Sequence, residues 1–313
     1  MRNLLYPLKF RPIPKEKVWG EEIWKLSGLS GDETLVSDGF LAMNGINELI
    51  EVYISDLVGE KIYEKFGEEF PLLIKYLSID ERLSLQIHPD DETAAERHGS
   101  YGKTECWYII DAKPTAKIYL GLNRDLTPKE LYDRCNNDTI EECMNVIIPK
   151  RGDIIPIVPG TIHSATGGVI AAEIQQTSDV TYRIYDWGRE RDPETARETH
   201  IDLAIDCINY SRVYPSEIIR KDRFECPYFT VTVIELNSSK GAGSSAPAYK
   251  ANSILYNASP IYICISGSAA ITWSDESTII KEGETILIPA SLGEFNITGD
   301  GNILEIIPSA QSV

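Results

Sequence analysis

Apolar and polar residues alternate with a period of two through ten short segments: Leu83–His88, Glu105–Ile110, Ala116–Leu120, Ile154–Val158, Val169–Gln175, Thr181–Tyr185, Thr230–Leu236, Ile261–Ile265, Ala269–Trp273 and Thr285–Ile288. That period, with β-branched content and Gly, Pro and Asp at the boundaries, predicts strands, and many short strands predict barrels or sandwiches. Three stretches have helical spacing instead: 56–66, 127–135 and 198–208. In the second, Thr127 is placed as N-cap and Pro128 as first helical residue. The expectation is a mainly β protein decorated by helices.

Residues 237–253 (NSSKGAGSSAPAYKANS) are poor in apolar side chains and rich in Ser, Gly and Ala, which predicts a long hairpin loop inside a C-terminal β domain. The domain boundary is placed near residue 215, giving domains 1–215 and 216–313. A weak internal echo runs from Gly152 to His163 and again from Gly283 to Glu294: a turn glycine, an apolar strand, then a proline-led turn. The second copy lacks the histidine. Two barrels of common ancestry, with metal in the N-terminal one only, would account for this, although Gly-strand-Pro patterns also arise by chance in β proteins.

Composition narrows the function classes. A chain of 313 residues, 42% hydrophobic and 25% charged, is that of a soluble globular protein and can bury a sizeable core. Its net charge of −18 and lack of a Lys/Arg run argue against nucleic acid and anionic membrane surfaces as partners. The same acidity repels a small phosphorylated substrate, so a site for one needs its own cations. The cysteines at 106, 135, 143, 207, 226 and 264 form no CxxC pair and read as reduced thiols. The opening residues, cut by Pro7, Pro12 and Pro14, suit neither a signal nor a transit segment, and no run reaches the roughly 18 to 20 apolar residues that span a bilayer. A cytoplasmic location is expected.

Histidine is scarce, at 88, 98, 163 and 200 only. Alternation puts Leu83, Leu85 and Ile87 on one face of their strand and Ser84, Gln86 and His88 on the other. A polar face that is buried without partners costs about 2 kcal/mol or more per group, so these three must meet solvent, protein groups or an ion. A second segment places Lys103, Glu105 and Trp107 on one face, either a ligand beside a substrate-binding cation or an ordinary ion pair. A third, Pro159-Gly160-Thr161-Ile162-His163, is a tight turn that delivers a histidine to the start of a strand. Two His, one Glu and one Gln on three successive strands of one sheet would suit a metal with an open position. His98, in a loop, and His200, at a helix start, read as solvated or capping. Further on, Glu173 and Gln175 share a face, as do Arg183 and Tyr185, and a hairpin between the two segments would bring Glu173 near Arg183.

The stretches LSLQIHPDD (83–91), GKTECWYII (102–110), PGTIHSATGG (159–168) and EIQQTSDVTYRIYDW (173–187), in this order and spacing, resemble the shorter bacterial form of the type I phosphomannose isomerase family. KVWG (17–20) resembles that family's opening, except that Glu21 follows where the family tends to a second glycine. The helical insertion of eukaryotic members has no room here. The resemblance implies two cupin-type, jelly-roll β-barrels and a zinc ion on Gln86, His88, Glu105 and His163. It implies interconversion of mannose 6-phosphate and fructose 6-phosphate. It also implies pocket roles for Lys103, Glu173 and Arg183, and a phosphate contact for Ser84.

Aldose–ketose isomerisation through an enediol needs a base and stabilisation of a developing oxyanion. Glu173 is the leading candidate base, with Lys103 and a metal-bound water as competitors; Lys103 and Arg183 supply charge for the sugar oxygens, the enediolate and the phosphate. A cupin that binds metal and sugar phosphate without turnover, and an iron-dependent cupin dioxygenase, are the rival classes, and a glutamine ligand points away from the latter. Either a homodimer or a monomer fits.

Overall fold

The computed structural model describes residues 5–194, 196–237 and 249–311. They form two compact units: those within 14–23 and 74–221, and those within 5–13, 24–73 and 222–311. Each unit is discontinuous along the chain, whereas the sequence reading places a single cut near residue 215.

A six-stranded sheet, most of it in the first unit, runs Ile13–Lys17, Gly20–Leu26, Leu72–Ile79, Val169–Gln176, Glu105–Ala112, Ile154–Ile157. A five-stranded sheet runs Tyr182–Tyr185, Leu85–Ile87, His163–Thr166, Lys117–Leu122, Met144–Ile147. Strand alternation divides the apolar side chains between two cores. Trp107, Ile109 and Ile155 of the larger sheet meet Ile118, Leu120 and Ala165 of the smaller, so the two sheets face each other. The opposite face of the smaller sheet, with Leu85, Ile87, Tyr119, Tyr182 and Ile184, packs under Leu131, Cys135, Ala204 and Ile208. Because Leu85 and Ile87 point outward beneath those residues, Ser84, Gln86 and His88 are left on the inner side, as alternation requires.

All ten expected strands form, with shifts of a residue or two at most ends. The ligand residues do not share one sheet, however. Gln86, His88 and His163 belong to the smaller sheet and its edges, while Glu105 stands in the larger. Nor do Val169–Gln176 and Tyr182–Tyr185 form a hairpin, since each pairs with a different sheet and the turn between them crosses from one to the other.

The helix at 127 forms as expected over Pro128–Asn136. Thr127 Oγ1 accepts from Glu130 N–H at 3.2 Å and Glu130 Oε2 from Thr127 N–H at 2.8 Å, a reciprocal cap worth about 1 kcal/mol. The expected 198–208 helix shrinks to Ile201–Ala204, because the backbone at His200 pairs with Arg183 beside the edge strand. Gly20 has φ +144°, and a Cβ there would lie 1.9 Å from the Ser78 carbonyl oxygen, so the turn after Trp19 requires glycine.

In the second unit the fifteen-residue strand Glu294–Pro308 is the hub of a nine-stranded sheet. It pairs with Phe229–Asn237, Ile261–Cys264, Ser268–Trp273 and Tyr249–Asn252. Part of the expected 237–253 loop, 238–248, lies outside the described residues; Tyr249–Asn252 is a strand instead, with Ala251 opposite Phe295 in the sheet. The expected helix at 56–66 is the end of a longer run, Ile46–Val58 followed by Glu60–Phe66, kinked at Ile54 (φ 52°) and interrupted where Gly59 takes φ 92°.

Candidate active site

Three buried side chains converge between the facing sheets: His88, Glu105 and His163, with one ligand atom of each within 4.8 Å of the others. Cross-strand register builds the group. His163 stands opposite Gln86, and Arg183 stands opposite Gln86 from the other side, so His163, Gln86 and Arg183 form one row across the smaller sheet. In the larger sheet Glu105 stands opposite Gln175, and Trp107 opposite Glu173.

His88 is fixed where its strand gives way to helix Asp91–His98, whose N-cap Asp90 accepts from Thr93 N–H at 2.9 Å. His163 is aimed by the turn before it. Gly160 takes φ +79°, its N–H donates to the His88 carbonyl at 2.9 Å, and a Cβ on it would lie 2.5 Å from the Cys207 carbonyl oxygen. One turn thus ties the two histidines together.

Both imidazoles are anchored through Nδ1. His88 Nδ1 lies 3.0 Å from the Val180 carbonyl and His163 Nδ1 2.9 Å from the Thr161 carbonyl. A carbonyl can only accept, so each Nδ1 carries the proton and each Nε2 offers a lone pair. The Nε2 atoms turn to Glu105, at 3.5 Å for His88 and 3.4 Å for His163. Burial, then the Lys103 charge, pushes the His88 pKa down to about 3, and burial lowers that of His163 as well, so both rings are neutral. Burial opposes ionisation of Glu105, but the Lys103 charge outweighs it and holds the carboxyl well below its usual range.

Such a set fits a divalent cation. Neither Glu105 oxygen receives a well-directed hydrogen bond, although both are shielded from solvent and Lys103 Nζ lies 2.7 Å from Oε2. A buried carboxylate of that kind is costly unless a cation supplies what hydrogen bonds do not. Gln86 stands beside the group with Nε2 3.3 Å from His163 Nε2, while its Oε1 accepts from Ser84 Oγ at 3.3 Å. Rotating the amide by half a turn would present the oxygen instead.

Next to this group lies a second buried cluster. Glu173 Oε1 accepts from Trp107 Nε1 at 3.0 Å, Glu173 Oε2 lies 3.0 Å from Lys75 Nζ, and Lys103 Nζ is 4.0 Å from Oε1. Lys103 Nζ also lies 3.2 Å from His88 Nε2, linking the clusters. Burial, then the Glu105 charge, raises the Glu173 pKa against the pull of Lys75 and Lys103. Burial lowers that of Lys75, but Glu173 and Glu22 reverse the direction, so Lys75 stays cationic.

The structure thus gathers Ser84, Gln86, His88, Lys103, Glu105, His163 and Glu173, and sets Arg183 at the end of the Gln86 row. Glu173 pairs with Lys75 and not with Arg183, whose Nη1 donates to the Glu198 carbonyl. Lys75 was missed by sequence reasoning; the available signal was one lysine in an otherwise mostly buried strand, Leu72–Ile79. His98 is hydrogen-bonded, Nε2 to Tyr182 hydroxyl at 2.7 Å, and His200 occupies a helix N-cap position while its Nδ1 accepts from Arg183 N–H.

Two family models match the chain: phosphomannose isomerase type I, catalytic domain, over residues 13–105, and mannose-6-phosphate isomerase, cupin domain, over 221–308. Mannose-6-phosphate isomerase ManA of Bacillus subtilis is 30% identical, with 94% of this chain and 96% of the relative aligned. Mannose-6-phosphate isomerase of Streptococcus mutans is 29% identical over 95% of this chain and 90% of the relative. The crystal structure of the Bacillus subtilis mannose 6-phosphate isomerase superposes with TM-score 0.81 at 27% identity, covering 96% of this chain and 99% of that one. Among the described residues no helix is long and apolar enough to cross a membrane.

Proposed function

The chain belongs to the type I phosphomannose isomerase family, and from that premise we propose that it interconverts mannose 6-phosphate and fructose 6-phosphate, using a zinc ion held by His88, Glu105 and His163 with Gln86 as a fourth donor. The observation that carries this reading is the facing pair of clusters: a neutral two-histidine, one-carboxylate set joined through Lys103 to a carboxylate held between Trp107 and Lys75.

Zinc bound there would supply Lewis-acid polarisation of the sugar oxygens. The protein supplies the proton chemistry. In this reading Glu173 is the base that takes the proton from C2 of the aldose, while O1 is protonated to give the enediol. Return of a proton to C1 with loss of the O2 proton yields the ketose. Trp107 and Lys75 occupy one Glu173 oxygen each, which fixes the carboxylate plane before substrate arrives. Lys103, whose ammonium lies between the clusters, is the side chain best placed to hold the O1 and O2 pair and to share its protons.

Arg183, opposite Gln86 on the neighbouring strand, and Ser84, two residues before it, are suited to the negative charge of the substrate. This division differs from a Glu173–Arg183 pair, since the two stand in different sheets. A phosphorylated substrate needs positive charge inside a chain that is acidic overall, and the buried Lys75 and Lys103 support that part of the reading. A coupled assay for fructose 6-phosphate formed from mannose 6-phosphate, run with elemental analysis of the purified protein, tests the reading.

A further inference from the structure

The turns that open the two copies of the internal echo, at Gly152 and at Gly283, are built alike. Asp153 Oδ2 accepts from the Lys150 N–H at 2.8 Å, and its carboxylate pairs with Lys221. Glu284 Oε2 accepts from the Lys281 N–H at 2.9 Å and lies 3.1 Å from Lys9 Nζ. The next residue differs. In the first copy it is Ile154, fully buried; in the second it is Thr285, only 7% exposed, whose Oγ1 is shielded from solvent and has no hydrogen-bond partner among the described residues. The turn is complete without this hydroxyl, as Ile154 shows, and a buried hydroxyl left unpaired is a cost to the fold.

Thr285 lines a cavity of about 260 Å³ whose walls all belong to the second unit. Lys9, Lys25 and Ser37 line it too, and Glu284 is the acid among these lining residues. Glu284 is already engaged by Lys9 and by the Lys281 N–H. Lys9 Nζ also donates to the Ile279 carbonyl at 2.6 Å, which leaves one of its three protons. Two ammonium groups, one carboxylate in use and an unpartnered buried hydroxyl suit an anion rich in acceptors, although the chain as a whole carries a net charge of −18. The space equals that of roughly eight or nine waters at about 30 Å³ each, more than one hydroxyl needs for its satisfaction. Phe10 and Pro12 give it an apolar side, fit for a short carbon chain.

We propose that this cavity is a second ligand site, taking a small metabolite that bears a carboxylate or phosphate group, with the Lys9 and Lys25 ammonium groups and the Thr285 hydroxyl as donors to its oxyanion. The cavity shares no residue with the candidate active site, so this inference stands independently of the isomerase reading.

Isothermal calorimetry on the full, metal-loaded chain tests it, with succinate and inorganic phosphate as probes that distinguish the two head groups, on the parent and on Thr285→Val and Lys25→Gln variants. Binding of at least one probe is expected in the parent and is expected to weaken about tenfold or more in both variants. Phosphate held by the first unit is common to all three proteins, so the difference between them reads this cavity. Without probe, kcat and KM for mannose 6-phosphate are expected to stay within about twofold of the parent. Thr285→Val replaces an unpaired hydroxyl with a methyl group and is expected to keep or raise stability in denaturant unfolding. If one variant fails to fold, the other carries the comparison. A parent that binds neither probe, or folded variants that bind both as tightly as the parent, overturns the proposal. A Thr285→Val variant of clearly lower stability also overturns it, because the hydroxyl would then serve the fold.

Discussion

Lys75 Nζ lies 3.0 Å from Glu173 Oε2, both side chains buried, and this ion pair sets the behaviour expected of the carboxylate proposed as the base. Burial and the Glu105 charge raise the Glu173 pKa above its ordinary 4.5, while Lys75 and Lys103 oppose them. A base must be ionised, so kcat/KM is expected to fall as pH drops through an acid limb above 4.5. Lys75→Gln removes an opposing cation and should move that limb to higher pH. A pH profile in which the limb stays or moves down would remove Lys75 from this role.

Glu173→Gln keeps the hydrogen-bonding shape and loses the base. Zinc content is expected to stay at the parental level, while exchange of the C2 hydrogen with solvent slows by about 10²- to 10⁴-fold. Parental exchange in a zinc-replete variant would assign proton transfer to another group.

Gly160→Ala tests the turn that couples the two histidines. At φ +79°, with the Cys207 carbonyl 2.5 Å from the added Cβ, the turn must shift. A loss of about 1–3 kcal/mol in stability is expected, together with weaker metal retention on dialysis against a chelator. Unaltered retention would show that the turn does not hold His163 in place.

The second unit carries its own buried carboxylate. Glu305 Oε1 accepts hydroxyl hydrogen bonds from Tyr262 at 2.7 Å, Tyr249 at 2.9 Å and Tyr256 at 3.2 Å. Glu305→Ala leaves three phenols without that acceptor and is expected to cost about 3 kcal/mol of stability, read by denaturant unfolding, with metal content unchanged. A cost within about 0.5 kcal/mol would mean that these hydroxyls find other partners.

Much of this was legible because alternation is a local property. Leu85 and Ile87 had to face opposite to Ser84, Gln86 and His88, and they do, so the polar face could be read from six residues. Which sheet a strand joins is not local. Glu105 and His163 were assigned to one sheet because they follow each other in sequence, whereas the chain crosses between facing sheets, and the same crossing separates Glu173 from Arg183. Lys75 was missed for a related reason: the apolar run around it shows no period, and its need for a counter-charge becomes visible only once Glu173 is brought beside it. The helix beginning at Ile46 was readable from Ile46, Leu49 and Ile50, which are buried at helical spacing.

The most direct test measures metal content and turnover on the same samples: zinc per chain by elemental analysis, and fructose 6-phosphate formed from mannose 6-phosphate, for the parent protein and for a folded His88→Ala/His163→Ala variant. The expected result is about one zinc per chain with isomerase activity in the parent, and loss of both in the variant. A parent without metal that still turns over, or a variant that keeps both zinc and activity, would contradict the assignment of His88, Glu105 and His163 as the catalytic metal site.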